Sequence, residues 1–210
     1  MRAVLQHSKN VSQAQGGTQS AREWLTERME SLHLVALVGS LRVGSVNRAA
    51  VRAAVTGAPD DVSIALHPIA DLPFYNGDVE EQGLPAAVEQ LHEVVGGADG
   101  VLLFSPEYNS SLPAVMKNAI DWLSRPPRSF EGVPFTMISA TPGGRAGLGV
   151  RGHFVDIMSH LPVRLFDDTL GLGKYFDRLD ENGEFTEPTV REVAEFVGRF
   201  ADFARTAPAS

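Results

Sequence analysis

The chain has 210 residues, 43% hydrophobic and 21% charged, with 26 Asp and Glu against 18 Lys and Arg for a net charge of -8. That length and balance fit one folded domain with a substantial core. The acidic balance argues against a general nucleic-acid or anionic-membrane binder. The lack of cysteine excludes disulfides and thiolate chemistry and fits a reducing, cytoplasmic compartment.

Residues 1–31 read as a disordered tail, because Val11 to Ser20 is rich in Gln, Ser and Gly and shows no strand or helix period. A short helix is expected around Arg22 to Met29, and Met29 is an alternative translation start. The tail lacks the long apolar centre of a secretory signal, and no apolar run approaches the roughly 20 residues needed to span a bilayer. Residues 32–206 are expected to form the folded domain.

From Leu34 onward strand and helix signals alternate. Leu34 to Val38 is an apolar run typical of a buried strand, Val46 to Val55 has helical spacing, and Val62 to Leu66 is a second strand. Leu84 to Val95 places Leu84, Val88, Leu91 and Val95 on one helical face. Val101 to Phe104 is a third strand, Ala114 to Leu123 a helix and Val133 to Ser139 a fourth strand. Leu148 to Leu161 follows as a helix and Val163 to Phe166 as a short fifth strand. Pro188 to Ala204 closes the chain as a helix with Val190, Val193, Phe196, Val197 and Phe200 on its apolar face. Such alternation implies a three-layer α/β sandwich, a parallel sheet covered on both faces. With right-handed crossovers, five strands suit the flavodoxin-like order 2-1-3-4-5.

Three polar loops follow strands one, three and four, and in open α/β sheets ligands bind at that carboxyl edge. The first, Gly39 to Arg48, offers tight-turn glycines, the hydroxyls of Ser40 and Ser45, the Arg42 guanidinium and the N–H groups of a helix start. It lacks both G-x-G-x-x-G and the Walker pattern, so a mononucleotide phosphate is the expected anion. The alternative is a capped βα turn with an exposed Arg. The second loop carries Pro106, Glu107, Tyr108 and Asn109. Its backbone suits the edge of a flat heteroaromatic ring and Tyr108 its face, unless Tyr108 is only a surface aromatic. The third, Ser139 to Gly147, is glycine-rich and permits close backbone approach.

Other chemistry finds little support. The six histidines show no metal-ligand spacing, and there is no G-x-S-x-G elbow. Asp60-Asp61 and Asp167-Asp168 read as solvated turns, and Lys117 with Asp121 as an i,i+4 ion pair.

Gly39-Ser40-Leu41-Arg42, Ser45 and Asn47-Arg48, then Ser105-Pro106-Glu107-Tyr108-Asn109 and Lys117-Asn118-Ala119-Ile120-Asp121-Trp122, closely resemble the NADPH-dependent FMN reductase family of chromate, quinone and azo-dye reductases. The resemblance covers about Leu34 to Phe185. It implies that Ser40, Arg42, Ser45, Val46 and Asn47 hold the FMN phosphate and that Pro106, Glu107, Tyr108 and Asn109 hold the isoalloxazine ring. Ser139, Gly143 and Gly144 would line the other side of the flavin, and Leu72 to Asn76 would lie near flavin and subunit contact. Gly152-His153 stands where the family's run commonly has Ala-Gln, so no family role carries to His153. The implied activity is hydride transfer from NADPH or NADH through FMN to a small-molecule electron acceptor such as a quinone, free flavin, chromate or azo compound. No catalytic side chain, metal, nucleic acid or membrane is implied, and the expected assembly is a homodimer or homotetramer. The alternative is a non-enzymatic FMN-binding electron carrier. Arg145 is the expected contact for a 2′-phosphate.

Overall fold

The computed structural model describes residues 31–206; the expected tail, its short helix and Met29 lie outside the described residues, as do residues 207–210. In chain order the elements are β1 (Leu32–Val38), α1 (Val46–Gly57), β2 (Val62–His67), α2 (Gly77–Glu80), α3 (Ala86–Gly96), β3 (Gly100–Phe104), α4 (Ala114–Leu123), β4 (Pro134–Ala140), α5 (Leu148–Ser159), β5 (Arg164–Leu165), β6 (Leu170–Leu172), a 3-10 turn (Tyr175–Arg178) and α6 (Glu187–Arg205).

The strands pair in parallel in the order β2-β1-β3-β4-β5, as the alternating pattern requires, and β6 also pairs with β4. The sheet therefore has six strand segments, not five. The expected fifth strand is present within Val163 to Phe166, with Arg164 and Leu165 pairing with Pro134 and Phe135, and an unexpected sixth, Leu170 to Leu172, pairs with Ile138 to Ala140. Asp167 and Asp168 interrupt this edge. The Asp168 carboxylate turns out to Arg199 of α6 at 2.9 Å, and its carbonyl accepts from Thr136 Oγ1 at 2.8 Å. Asp168 is thus tied to a neighbouring helix, and only the edge of a sheet accommodates such a break.

β3 and β4 are buried along their whole length, because helices cover both faces. Alternation along β1 divides the core. Leu34, Ala36 and Val38 pack toward α1 and α6; Val35 and Leu37 pack toward α3, α4 and α5. This double packing leaves the loops after β1, β3 and β4 together at one rim, around one cavity.

Candidate functional site

The loop after β1 builds one wall of a cavity of about 510 Å³. Ser45 occupies the N-cap of α1 in extended geometry, yet its side chain makes no capping bond. Its hydroxyl is buried without any partner, and so is the Thr141 hydroxyl after β4. Both residues line the cavity, with Ser40 and the exposed Arg42. The amides of Val46 and Asn47 open the helix, and main-chain pairing to the Ser45 carbonyl begins only at Arg48 N–H. Unpartnered hydroxyls, free amides, the positive end of a 12-residue helix and a guanidinium all face one space.

Asn47 lines the same cavity and also has a structural part. Its side-chain amide donates to the Ala140 carbonyl at 3.1 Å and accepts from the Ala140 N–H at 3.0 Å. The side chain is buried and ties α1 to the end of β4. Its main-chain N–H and the second N–H of its side-chain amide are left for an anion in the cavity it lines.

The loop after β3 is held from two sides. Tyr108 and Ser111 exchange main-chain hydrogen bonds at 3.1 and 3.0 Å around Asn109 (φ 51°) and Ser110 (φ 59°). Two successive left-handed residues make a tight primed turn, and Asn tolerates that conformation. Asn109 is therefore the exposed tip of the turn and does not line the cavity, whereas Pro106, Glu107 and Tyr108 do. The Glu107 carboxylate accepts from Val150 N–H at 2.9 Å, inside the first turn of α5, where negative charge is favoured. Gly149 permits this approach, since a Cβ there would come within 3.0 Å of Glu107 Oε2 and of Ser110 Cβ. His153 Nδ1 and Ser111 Oγ share a hydrogen bond of 2.7 Å. His153 thus holds the loop rather than reaching the cavity.

After β4 the cavity is lined by other residues than those expected. Ser139 is fully buried and donates to the Ser105 carbonyl at 2.8 Å, so it faces away from the cavity. Gly147 (φ 69°) closes over it; a Cβ there would fall 2.2 Å from Ser139 Oγ. Ala140, Thr141 and Pro142 form the wall instead, and Gly143, Gly144 and Arg145 are exposed outside it. Sequence reasoning also missed Arg52, Tyr175, Phe176, Leu179 and Asn182 on the far wall. Arg52 comes from the middle of α1, and the others come from the 3-10 turn and the segment after it, which have no strand or helix period. An Arg52–Glu184 ion pair at 2.7 Å joins those two parts.

A second cavity of about 460 Å³ shares Arg42 and Tyr108 with the first and is otherwise mostly apolar, with Leu41, Leu72, Phe74, Pro113 and Val115. Its outer loop is fastened by α4. Asn118 Nδ2 and Trp122 Nε1 both donate to the Pro73 carbonyl, at 2.9 and 2.8 Å, and Asn118 Oδ1 accepts from Tyr75 N–H at 2.8 Å. Tyr75 stands edge-on to Trp122, with ring centroids 5.1 Å apart, and donates to Glu80 at 2.9 Å. Arg125 donates to the same carboxylate and holds its pKa below the ordinary value, helped by the Tyr75 hydroxyl.

The family model described as NADPH-dependent FMN reductase matches residues 32–177. The chain belongs to the NADPH-dependent FMN reductase family. An NAD(P)H-dependent FMN reductase of Pseudomonas aeruginosa is 34% identical over 168 residues, 79% of this chain and 91% of that protein. A quinone reductase of Escherichia coli K12 is 43% identical over 141 residues, 66% of this chain and 75% of that protein. The solved structure of the flavoenzyme NAD(P)H:(acceptor) oxidoreductase FerB from Paracoccus denitrificans superposes with a TM-score of 0.74 at 28% identity, over 82% of this chain and 97% of that one.

The residues present in this reductase-family chain fit FMN. The buried hydroxyls of Ser45 and Thr141 lack the acceptor that a phosphate supplies. Among the described residues Glu107 is the only carboxylate that lines the first cavity, and it is engaged by Val150 N–H. Among the described residues no cluster of His, Asp and Glu is placed to hold a metal ion, and no helix is long and apolar enough to cross a membrane.

Proposed function

We propose that this chain is an FMN-dependent NAD(P)H oxidoreductase that reduces a small acceptor of the quinone class. In the net reaction NAD(P)H gives up a hydride and becomes NAD(P)+. The quinone gains two electrons and two protons, the second proton coming from solvent. One observation carries the reading: two buried, unpartnered hydroxyls and a helix N-terminus face a cavity that shares Tyr108 and Arg42 with an apolar one.

Bound FMN supplies the chemistry of accepting and returning two electrons. The chain's own residues bind and orient. Ser40, Arg42, Ser45, Thr141 and the amides of Val46 and Asn47 hold the phosphate. The main chain of Pro106 to Tyr108, stiffened by Glu107–Val150 and Ser111–His153, presents donors and acceptors to the ring edge. Leu41, Leu72, Phe74 and Val115 exclude water from donor and acceptor, and the Asn118–Trp122 latch keeps their loop in place. Assembly as a homodimer or homotetramer would cover Phe74, which is exposed where it lines the apolar cavity. A cytoplasmic setting goes with a donor made inside the cell. Quinone is preferred over free flavin, chromate and azo compounds on the resemblance to the E. coli relative.

The test is FMN titration of the purified chain followed by anaerobic NADPH. Quenching of flavin fluorescence at one equivalent per chain, then bleaching of the visible band within the mixing time and quinone-dependent turnover, is the expected result. Tight binding without bleaching would make the chain a carrier. Absence of binding would overturn the assignment of Ser40 to Asn47.

A further inference from the structure

A third, smaller cavity of about 130 Å³ opens at the carboxyl end of β2, between the first turn of α1 and the chain after β2. Arg48, His67, Leu66 and Val38 line it, together with Leu41 and Ala70, which also line the apolar cavity. The two spaces therefore adjoin.

Arg48 is half-buried, and among the described residues its guanidinium makes no ion pair and no hydrogen bond. All eight ion pairs of the described chain use other cations, although acidic residues outnumber basic ones. Among the described residues no carboxylate lines this cavity or the apolar one beside it. Arg48 also stands in the first turn of α1, which carries no acidic residue, so its charge opposes the helix dipole. A cation held partly out of water, against a dipole and without a counter-ion, is stabilised by an arriving anion. His67 beside it adds a ring N–H; burial draws its pKa below the ordinary value, and a dianion would draw it back up.

We propose that Arg48 and His67 form the subsite for the 2′-phosphate of NADPH. This rests on the reading of the chain as an NAD(P)H oxidoreductase. The 2′-phosphate sits on the adenosine ribose, at the other end of the coenzyme from the nicotinamide. Its subsite therefore lies outside the hydride cavity, as this smaller cavity does. Arg145, expected from the sequence to meet this group, is exposed and lines none of these cavities. Arg48 also suits a phosphate monoester better than a lysine would, because its fork donates two parallel hydrogen bonds.

The experiment uses the full chain loaded with FMN, with 2′,5′-ADP and 5′-AMP as calorimetric probes and NADPH and NADH as donors. The wild type is expected to bind 2′,5′-ADP at least about tenfold more tightly than 5′-AMP, the size of one charge-assisted contact. Arg48→Gln is expected to erase that difference and to lower the NADPH/NADH ratio of kcat/KM by a similar factor; His67→Gln gives a smaller drop. FMN titration of each variant confirms an intact fold. An unchanged ratio in Arg48→Gln would overturn the subsite. Equal losses for NADPH and NADH would also overturn it, since they would mean contact with the shared pyrophosphate. Those results would leave the oxidoreductase standing as long as both donors bleach the bound flavin. If neither does, the functional reading fails first.

Discussion

Ser45→Ala separates a ligand site from a structural cap. Serine at an N-cap ordinarily accepts a hydrogen bond from the second or third helical amide, and its loss costs about 1 kcal/mol. Here Ser45 makes no such bond, and its hydroxyl is buried with no partner. Removing it from the FMN-free protein therefore takes away a desolvated group rather than an interaction, a gain of up to about 1 kcal/mol. For a domain of this size that is no change or a rise of roughly 2–4 °C in Tm, whereas loss of a true cap would lower it by a similar amount. With FMN the balance reverses. A lost hydroxyl–phosphate bond of about 1.5–3 kcal/mol raises Kd by roughly 10- to 100-fold. Differential scanning fluorimetry of the FMN-free protein and fluorescence titration with FMN read the two numbers. A fall in Tm of more than about 2 °C, or a Kd within about twofold of wild type, would refute the reasoning.

Three further outcomes follow from the same geometry. Asn47→Ala strips both partners from the buried Ala140 main chain and is expected to cost about 2–4 kcal/mol, lowering the Tm of the FMN-free protein by roughly 5–15 °C. A stable variant with impaired FMN binding alone would show the side chain to be a ligand instead. Gly147→Ala forces a side chain into a left-handed residue and onto Ser139 Oγ, so a loss of about 2 kcal/mol or more is expected in chemical denaturation. His92 is buried on α3 with Nε2 unpartnered, and burial draws its pKa below the ordinary 6.5. The unfolded chain then takes up a proton that the folded one refuses, so stability falls as pH drops below about 6.5. His92→Gln should flatten that decline in denaturant titrations from pH 7 to 5, and an identical slope would show that His92 contributes nothing to it.

Legibility from the sequence divides by kind of residue. Apolar residues read well, because a run such as Val101 to Phe104 has only one place to go when helices cover both faces, and burial there is complete. The three polar loops were legible for the same reason: they are what remains once the strands are placed. Polar residues read less well, because an Asn or Ser near a strand end serves a ligand and a main-chain group equally. Asn47 and Ser139 both went to the backbone. Period-two alternation held the signal for Ser139. Ile138 and Ala140 face α1, so the residue between them points to the opposite face, toward α5 and away from the phosphate wall. The end of β5 was signalled as well, by two carboxylates in a row where a continuing strand needs side chains on alternate faces, but the short strand β6 beyond them was not. Nothing local announced the wall of Tyr175, Phe176, Leu179 and Asn182. Those residues reach the cavity because β6 continues the edge of β4 and delivers the turn beside α1, a consequence of sheet register rather than of any short pattern. The same limit applies to Arg48 and His67, which come from different elements and meet only because β2 lies beside β1 with Leu37 opposite His67. A site built from one loop is legible in its motif; a site built from the ends of neighbouring strands is legible only once the sheet order is known.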